Sequence, residues 1–393
     1  MRNTYLLGAV RTPIGAFGGG LKDLPAHKLG SIVIKEALAR AGVGPELVDE
    51  VIMGCILQAG QGQGPGRQAA LGAGVPVATP AWTLNQLCGS GLKSVCLAST
   101  MIGAGEAECM VAGGMENMSL APYLAQWARN GQRYGHAQTQ DSILVDALTD
   151  VFSGEHMGMT AEAIAERFEL TRQAQDAFAA ESQRRAATAM KDGAFDKEIV
   201  KVTIPVKKGD PIVVAKDEHP KPDSTAEKLA KLRPAFKEGG TVTAGNSSGI
   251  NDGAAALVVA SEEFVKKHGL KPLARIAGHA TTALEPRIMG MGPVEASRKA
   301  LARAGWKLAD VQRAELNEAF AAQALAVVKE LGIDSAITNP CGGAIALGHP
   351  VGASGARILV TLLHELERSK TTRGLAALCV GGGMGTATVV ERV

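Results

Sequence analysis

The sequence is short of several things that would each point to a function. An excess of charge of one sign is nearly absent: the formal net charge is +2 over 393 residues, and no long basic run occurs. That balance argues against a nucleic-acid partner, whose phosphates demand a concentrated positive face. Six cysteines are present, but none form a C-x-x-C pair and no Cys/His cluster has zinc-ligand spacing, so no metal site is expected. Thiols without a secretory signal ahead of them are expected to stay reduced, which places the protein in the cytoplasm. The N-terminal "MRNTYLLGAVRTPIGAFGGG" has a short apolar run broken by Arg11 and reads as a first strand. No segment approaches the roughly 18–20 apolar residues that span a bilayer, so no membrane partner is expected. Aromatic residues are only 4%, whereas glycine numbers 48, a balance suited to tight turns and close backbone approaches.

What is there is an α/β pattern on a chain long enough for two or three domains. "DEVIMGCIL" and "ARIAGHAT" read as strands, and "HKLGSIVIKEALARAG" has helical periodicity with a terminal glycine cap. From about Ser119 to Gly249 the composition turns polar, with charged helices, a helix start at Thr171 and a hairpin-like "EIVKVTIPVKKGDPIVVAKDEHP". This stretch reads as an inserted, more solvated subdomain. The flanking parts echo each other. "CGSGLKSVCLASTMI" is matched by "GASGARILVTLLHEL", and "AECMVAGGMENMS" by "LAALCVGGGMGTA", in the same order. Two similar α/β halves follow from that repeat.

Chemistry concentrates in a few places. Cys88 lies at a loop-to-helix junction in "LNQLCGSGLKSV", where helix N–H groups and the dipole would lower a thiol pKa. By itself it reads first as a buried structural cysteine, the commoner fate of a free thiol. His349 is the one imidazole in the glycine-rich "CGGAIALGHPVGASGAR"; the stiff Pro350 behind it and the bare backbone around it leave a substrate room to approach. Cys379 ends an apolar strand before a glycine run, where α/β proteins place their sites, although by itself it reads first as a core cysteine of a buried strand. That run lacks the G-x-G-x-x-G spacing of a dinucleotide fingerprint. Asn317 precedes the amphipathic "EAFAAQALAVV" and reads first as a helix N-cap, or else as an amide that orients a water. Cys55, Cys96 and Cys109 read as core; Cys341 stays ambiguous.

Together, "NQLCGSGL", "GGMENMS", "NEAFAAQALAV", "GGAIALGHPVGASGARI" and "LCVGGGMG" resemble the thiolase family. "RTPIGAFGG" and "TVTAGNSSGINDGAAA" extend the resemblance over essentially the whole chain. It implies two α/β halves in a five-layer αβαβα arrangement with an inserted loop domain. The halves would be 1–118 with 250–271, and 272–393; the insert would be 119–249 and would bind coenzyme A. It further implies a homo-oligomer, a dimer of dimers, a role in fatty acid metabolism, and no cofactor beyond coenzyme A as substrate and product.

By the same resemblance Cys88 accepts the acyl group and His349 is its base. Cys379 is a second acid/base, and Asn317 holds a water. The backbone N–H groups of Cys88 and Gly381 form an oxyanion hole. His156, Met157, Phe236, Ser248, Ala319 and Phe320 match positions lining the pantetheine channel, and Met289 one near the acyl pocket. Lys221 stands where arginine is common, keeping the charge but losing the planar fork. Cys341 stands where asparagine is commoner. "NQLCGSGLKSV" and "DALTDVFSGEHMGMTAE" favour joining two acetyl-CoA into acetoacetyl-CoA. "DEHPKPDSTAEKL" and "GGAIALGHPVG" are also similar to degradative members acting on longer 3-oxoacyl-CoA, including the 3-oxoadipyl type. A decarboxylating ketoacyl synthase and a non-catalytic acyl-CoA carrier are the more distant alternatives.

Overall fold

The computed structural model describes residues 2–393; residue 1, the start of the expected first half, lies outside them. The strands of the first half are β1 (Thr4–Arg11), β2 (Glu50–Gly54), β3 (Ala81–Leu84), β4 (Cys109–Asn117) and β5 (Asn251–Ser261). Their order in the sheet is β3-β2-β4-β5-β1. β2 runs parallel to both neighbours, whereas β5 runs antiparallel to β4 and β1. The second half repeats this plan with β6 (Ala274–Ala283), β7 (Arg313–Leu316), β8 (Arg373–Val380) and β9 (Met384–Arg392). Here the order is β7-β8-β9-β6, with β7 parallel to β8, and β9 antiparallel to β8 and β6. A parallel bridge from Ala314 to Thr338 stands where β3 stands in the first half. The two sheets meet edge to edge through only Tyr5–Arg275 and Leu6–Ala274. The repeat seen in the sequence is therefore a repeat of topology.

Helices make the other three layers. α1 (Ala26–Ala41) and α2 (Pro65–Gly72) cover the outer face of the first sheet, where Leu29, Val33 and Ile34 pack with Met53 and Val258. α3 (Ser90–Ala104) and α8 (Val351–Arg368) lie between the sheets. Their Leu92, Val95, Ile358 and Leu362 share one core with Leu257 of the first sheet and Leu378 of the second. α6 (Gly292–Ala304) and α7 (Ala321–Leu331) close the far side through Val294, Leu301 and Val327. Each fully buried side chain of this size contributes about 1.5–3 kcal/mol, which makes the central layer the best-anchored part of the molecule. β4 and β5 are buried along their whole length because helices cover both their faces. α1 ends as its sequence predicts, with Gly42 left-handed at φ 67°.

Two expectations need correction. The segment Leu87–Ala104 does reach membrane-spanning length and a mean hydropathy of 1.2. It is apolar because both sheets press on α3. The long excursion between β4 and β5 is also less solvated than its composition suggests. It contains α4 (Met157–Arg167), α5 (Arg172–Lys191) and the expected hairpin, Val202–Ile204 paired with Ile212–Val214. Thr171 caps α5 by accepting from Ala174 N. Yet Gln175, Asp176, Ser182 and Gln183 of α5 are buried. Their polar groups are used internally: Ser182 Oγ donates to Glu318, Lys221 N donates to Gln183 Oε1, and Asn246 Nδ2 donates to Asp176. A buried ion pair clamps this excursion to β1, with Arg11 bonded to Glu198 at 2.5 Å and to Asp217 at 2.7 Å and 2.9 Å. Removing one partner from such a pair costs about 3–5 kcal/mol.

Candidate active site

Two helix starts build the site. Ahead of α3 the chain makes a tight turn in which Gly89 N donates to Gln86 O and Ser90 N to Leu87 O. Ser90 Oγ accepts from Gln86 N and donates to Leu87 O, locking the turn. Leu87 is left-handed at φ 47°, a conformation costing a non-glycine residue about 1–3 kcal/mol. This strained turn presents Cys88. Ahead of α8, His349 N donates to Asn251 Oδ1 at 2.9 Å, and His349 bridges Ile250. The two helices cross where each is glycine. A Cβ on Gly91 would lie 2.7 Å from Ala356 N, and one on Gly355 only 2.3 Å from Leu92 N. That backbone contact draws the two turns together, and Cys88 packs in one apolar cluster with Val351 and Ile250.

His349 is buried, and its Nδ1 lies 2.5 Å from Ser354 Oγ. The single Ser354 hydroxyl hydrogen has the Pro350 carbonyl at 2.9 Å as its helical acceptor. We therefore assign the proton to Nδ1, donating to Ser354, which leaves Nε2 with a free lone pair. Nε2 is buried without a protein partner. Burial, then the Arg357 charge, pushes the His349 pKa down to about 3. The Cys88 thiol is pushed the other way, up to about 11, chiefly by burial, although the N–H groups of Gly381 and of Cys88 itself oppose the shift. This corrects the lowered thiol pKa expected at a helix N-terminus: desolvation of the charged form outweighs the aligned amides. The resting pair is thus a neutral thiol beside a neutral imidazole.

The second half supplies the rest. Cys379 sits at the end of β8, next to the Gly381–Gly383 turn into β9, and is fully buried. Burial and the nearby Cys88 charge push its pKa far up. Leu87 faces the Gly381 backbone, where an added Cβ would lie 2.8 Å from Leu87 Cδ1. Asn317 is not the N-cap of α7, which starts four residues later at Ala321 behind Phe320. Its backbone N donates to Ala377 O, while its buried Nδ2 and Oδ1 have no protein partner. Buried polar atoms without a protein partner suit an ordered water. Glu318 beside it accepts from Ser182 Oγ at 2.6 Å, Asn339 Nδ2 at 2.9 Å and Ile345 N at 3.3 Å, holding the loop that leads to His349.

Cys379 belongs to an apolar cluster at the edge of the inserted segment. Met157, Met289, Ala319, Phe320 and half-buried Phe236 form one cluster with it. His156 stacks on Phe236 at 4.6 Å, and Phe236 meets Phe320 edge-on at 6.2 Å. His156 Nδ1 caps α4 by accepting from Gly158 N. Ser248 contributes its backbone, N donating to Ala319 O, and Ser247 bridges Phe320. Ser247 also lines a cavity of about 560 Å³, together with Lys221, Lys228, His219, Asp223 and Ile345. The structure thus groups Cys88, Cys379 and Gly381, and puts Lys221 in the lining of the cavity beside Ser247. Ser247, His219, Lys228, Ser354 and Glu318 are not marked by the sequence reading. All five lie inside stretches quoted for the resemblance, and position within a motif was the only signal they carried.

Two family profiles match the chain: Thiolase, N-terminal domain, over residues 4–263, and Thiolase, C-terminal domain, over residues 270–392. An acetyl-CoA acetyltransferase of Chromobacterium violaceum is 56% identical over 387 residues, covering 98% of this chain and 99% of the relative. Proteins of the same name from Escherichia coli and Cupriavidus necator are 55% and 54% identical, each covering all of both chains. The crystal structure of the Bacillus anthracis acetyl-CoA acetyltransferase superposes with a TM-score of 0.98 at 46% identity, covering 100% of this chain and 99% of that one. With the topology repeat and the two-cysteine site already in place, these matches show that the chain belongs to the thiolase family.

Proposed function

We propose that this protein is an acetyl-CoA acetyltransferase that joins two acetyl-CoA into acetoacetyl-CoA and coenzyme A, and runs the reverse cleavage. The observation that carries this reading is the convergence of Cys88 on the Gly381 N–H, beside a second thiol at Cys379. Cys88 gives its proton to His349 Nε2 as its sulfur attacks the thioester carbonyl. The Cys88 and Gly381 N–H groups hold the oxygen that becomes negative. The departing coenzyme A thiolate takes the proton of Cys379, leaving a thiolate there opposite a protonated His349. That thiolate removes an α-proton from the second acetyl-CoA, and the enolate oxygen is held by His349 Nε2–H and a water on Asn317. The enolate carbon attacks acetyl-Cys88; the released sulfur recovers its proton from His349. Protons and charges balance over the cycle.

Coenzyme A would lie with its pantetheine arm between Phe236, Met157 and Ala319–Phe320, and its phosphates toward Lys221 and Lys228. A pocket with two lysines supplies the charge that one arginine would. The division into halves 1–118 with 250–271 and 272–393, around the insert 119–249, goes with this reading. So does assembly as a dimer of dimers: β3 is a half-exposed edge strand, and Tyr123, Tyr134, Val151 and Phe152 stand exposed on the excursion. Six free thiols suit a reducing cytoplasm.

The test is coenzyme A-dependent cleavage of acetoacetyl-CoA against a longer 3-oxoacyl-CoA, with wild type and Cys88→Ala in parallel. Fast cleavage of the short substrate and a dead variant are expected. Preference for the longer substrate would move the protein to the degradative branch, and turnover by Cys88→Ala would refute the acyl-cysteine.

A further inference from the structure

One buried carboxylate touches the segments that bring the two catalytic turns together, and no step above uses it. Glu116 lies on β4 with no exposure to solvent. Its Oε2 accepts from Ile56 N at 3.1 Å and from Gly352 N at 2.9 Å; Oε1 accepts from Leu57 N at 3.1 Å and faces the Cys55 thiol at 3.7 Å. Gly352 is in the first turn of α8, three residues after His349. Ile56 and Leu57 belong to the apolar cluster that holds Cys88 and Val351. One side chain therefore ties the His349 helix of the second half to the Cys88 surroundings of the first.

We infer that Glu116 is a positioning residue for the Cys88–His349 pair, fixing the start of α8 against the Cys55–Leu57 loop and setting the electrostatic field at the Cys88 sulfur. The inference rests on the roles proposed above for Cys88 and His349. Four properties support it. The fit is tight, since a Cβ on Gly352 would come within 2.7 Å of Glu116 Oε2. The carboxylate accepts from one N–H in the first turn of α8, that of Gly352, where negative charge is favoured, and from two loop N–H groups after β2. Its charge reaches Cys88, whose acidity it lowers, and the titratable groups facing it are Cys55 and Cys88. Finally, burial opposes ionisation while three backbone N–H groups and the Cys55 thiol favour it, leaving a pKa of about 7. An ionised and a protonated Glu116 bond differently, because a protonated oxygen must give up at least one of these donors.

The test uses Glu116→Gln and Glu116→Asp in the full chain, with thermal melts to confirm folding. Two readouts are taken: the rate of acetyl-Cys88 formation from acetyl-CoA by quench and intact mass, and the pH profile of Cys88 alkylation by iodoacetamide. Glu116→Gln is expected to slow acylation about 10- to 100-fold, the effect of a shift of about 1 Å in a reacting group. It should also move the alkylation midpoint to lower pH, with the KM for coenzyme A unchanged, since Glu116 lies away from the Lys221 cavity. Glu116→Asp keeps the charge and shortens the reach, so it should slow acylation without lowering the midpoint. Should the Gln variant fail to fold, the Asp variant carries the test alone. Wild-type acylation in both variants overturns the inference. So does slowed acylation in Glu116→Gln with an unmoved alkylation midpoint, which would make Glu116 a structural anchor only. Absence of acetyl-Cys88 in the wild type overturns the nucleophile assignment instead, and the alkylation profile still reads the Glu116 field.

Discussion

Gly91→Ala separates folding from catalysis in this design. Gly91 is in the first turn of α3, and an added Cβ would meet Ala356 N at 2.7 Å, Gly352 O at 3.0 Å and Ala353 O at 3.1 Å. All three are backbone atoms of α8, so no side chain can rotate out of the way. Ordinary contact for such a carbon begins at about 3.4 Å. The helices must therefore part by about 0.7 Å, the difference from 2.7 Å, and His349 leaves Cys88 by a similar amount. Overpacking of this kind costs about 1–3 kcal/mol. The gain in helix propensity from glycine to alanine returns up to about 1 kcal/mol. The net loss of stability is about 0–2 kcal/mol, small enough for a folded protein. The loss of rate is larger: a displacement near 1 Å costs about 100-fold, or about 2.7 kcal/mol on the barrier. The assay is the burst of acetyl-Cys88 on mixing with acetyl-CoA, set beside a circular dichroism melt. Wild-type burst kinetics in a folded Gly91→Ala protein would refute the argument that this crossing places the pair.

Two further outcomes follow from the histidine. Ser354→Ala removes the acceptor of the buried His349 Nδ1–H, a loss of about 1–3 kcal/mol that favours the wrong tautomer; acylation should slow about 10-fold or more while the melt falls by only a few degrees, and an unaltered acylation rate would refute the tautomer assignment. Because burial and Arg357 hold the His349 pKa down to about 3 from 6.5, the neutral base persists at every pH above that value. Acylation measured in Glu116→Gln, where the Glu116 ionisation near 7 is gone, should therefore show no limb with a midpoint near 6.5. A limb there would mean that the imidazole titrates as a free one does.

Much of this protein is written in local sequence. The strands and helices of both halves follow from apolar periodicity and glycine caps, as α1 with Gly42 illustrates, and the repeat of "GASGARILV" on "CGSGLKSVC" announces a duplicated topology. Cys88, His349 and Cys379 stand out as a set only through the assembled motifs that resemble the thiolase family; taken singly, the two cysteines read first as structural. What the sequence alone determined is thus the parts and their chemical types. Their electrostatic state belongs to the tertiary structure. A helix N-terminus predicts an acidic Cys88, but desolvation of this half-buried thiol reverses the sign, because desolvation depends on everything that surrounds the sulfur. Asn317 reads as a cap until the helix is seen to begin at Ala321. Ser354, Glu318 and Glu116 act through bonds to residues that folding brings beside them. Glu116 and Gly352 are 236 positions apart in the chain, and no local pattern records a carboxylate and an amide that meet only when two halves close on one another.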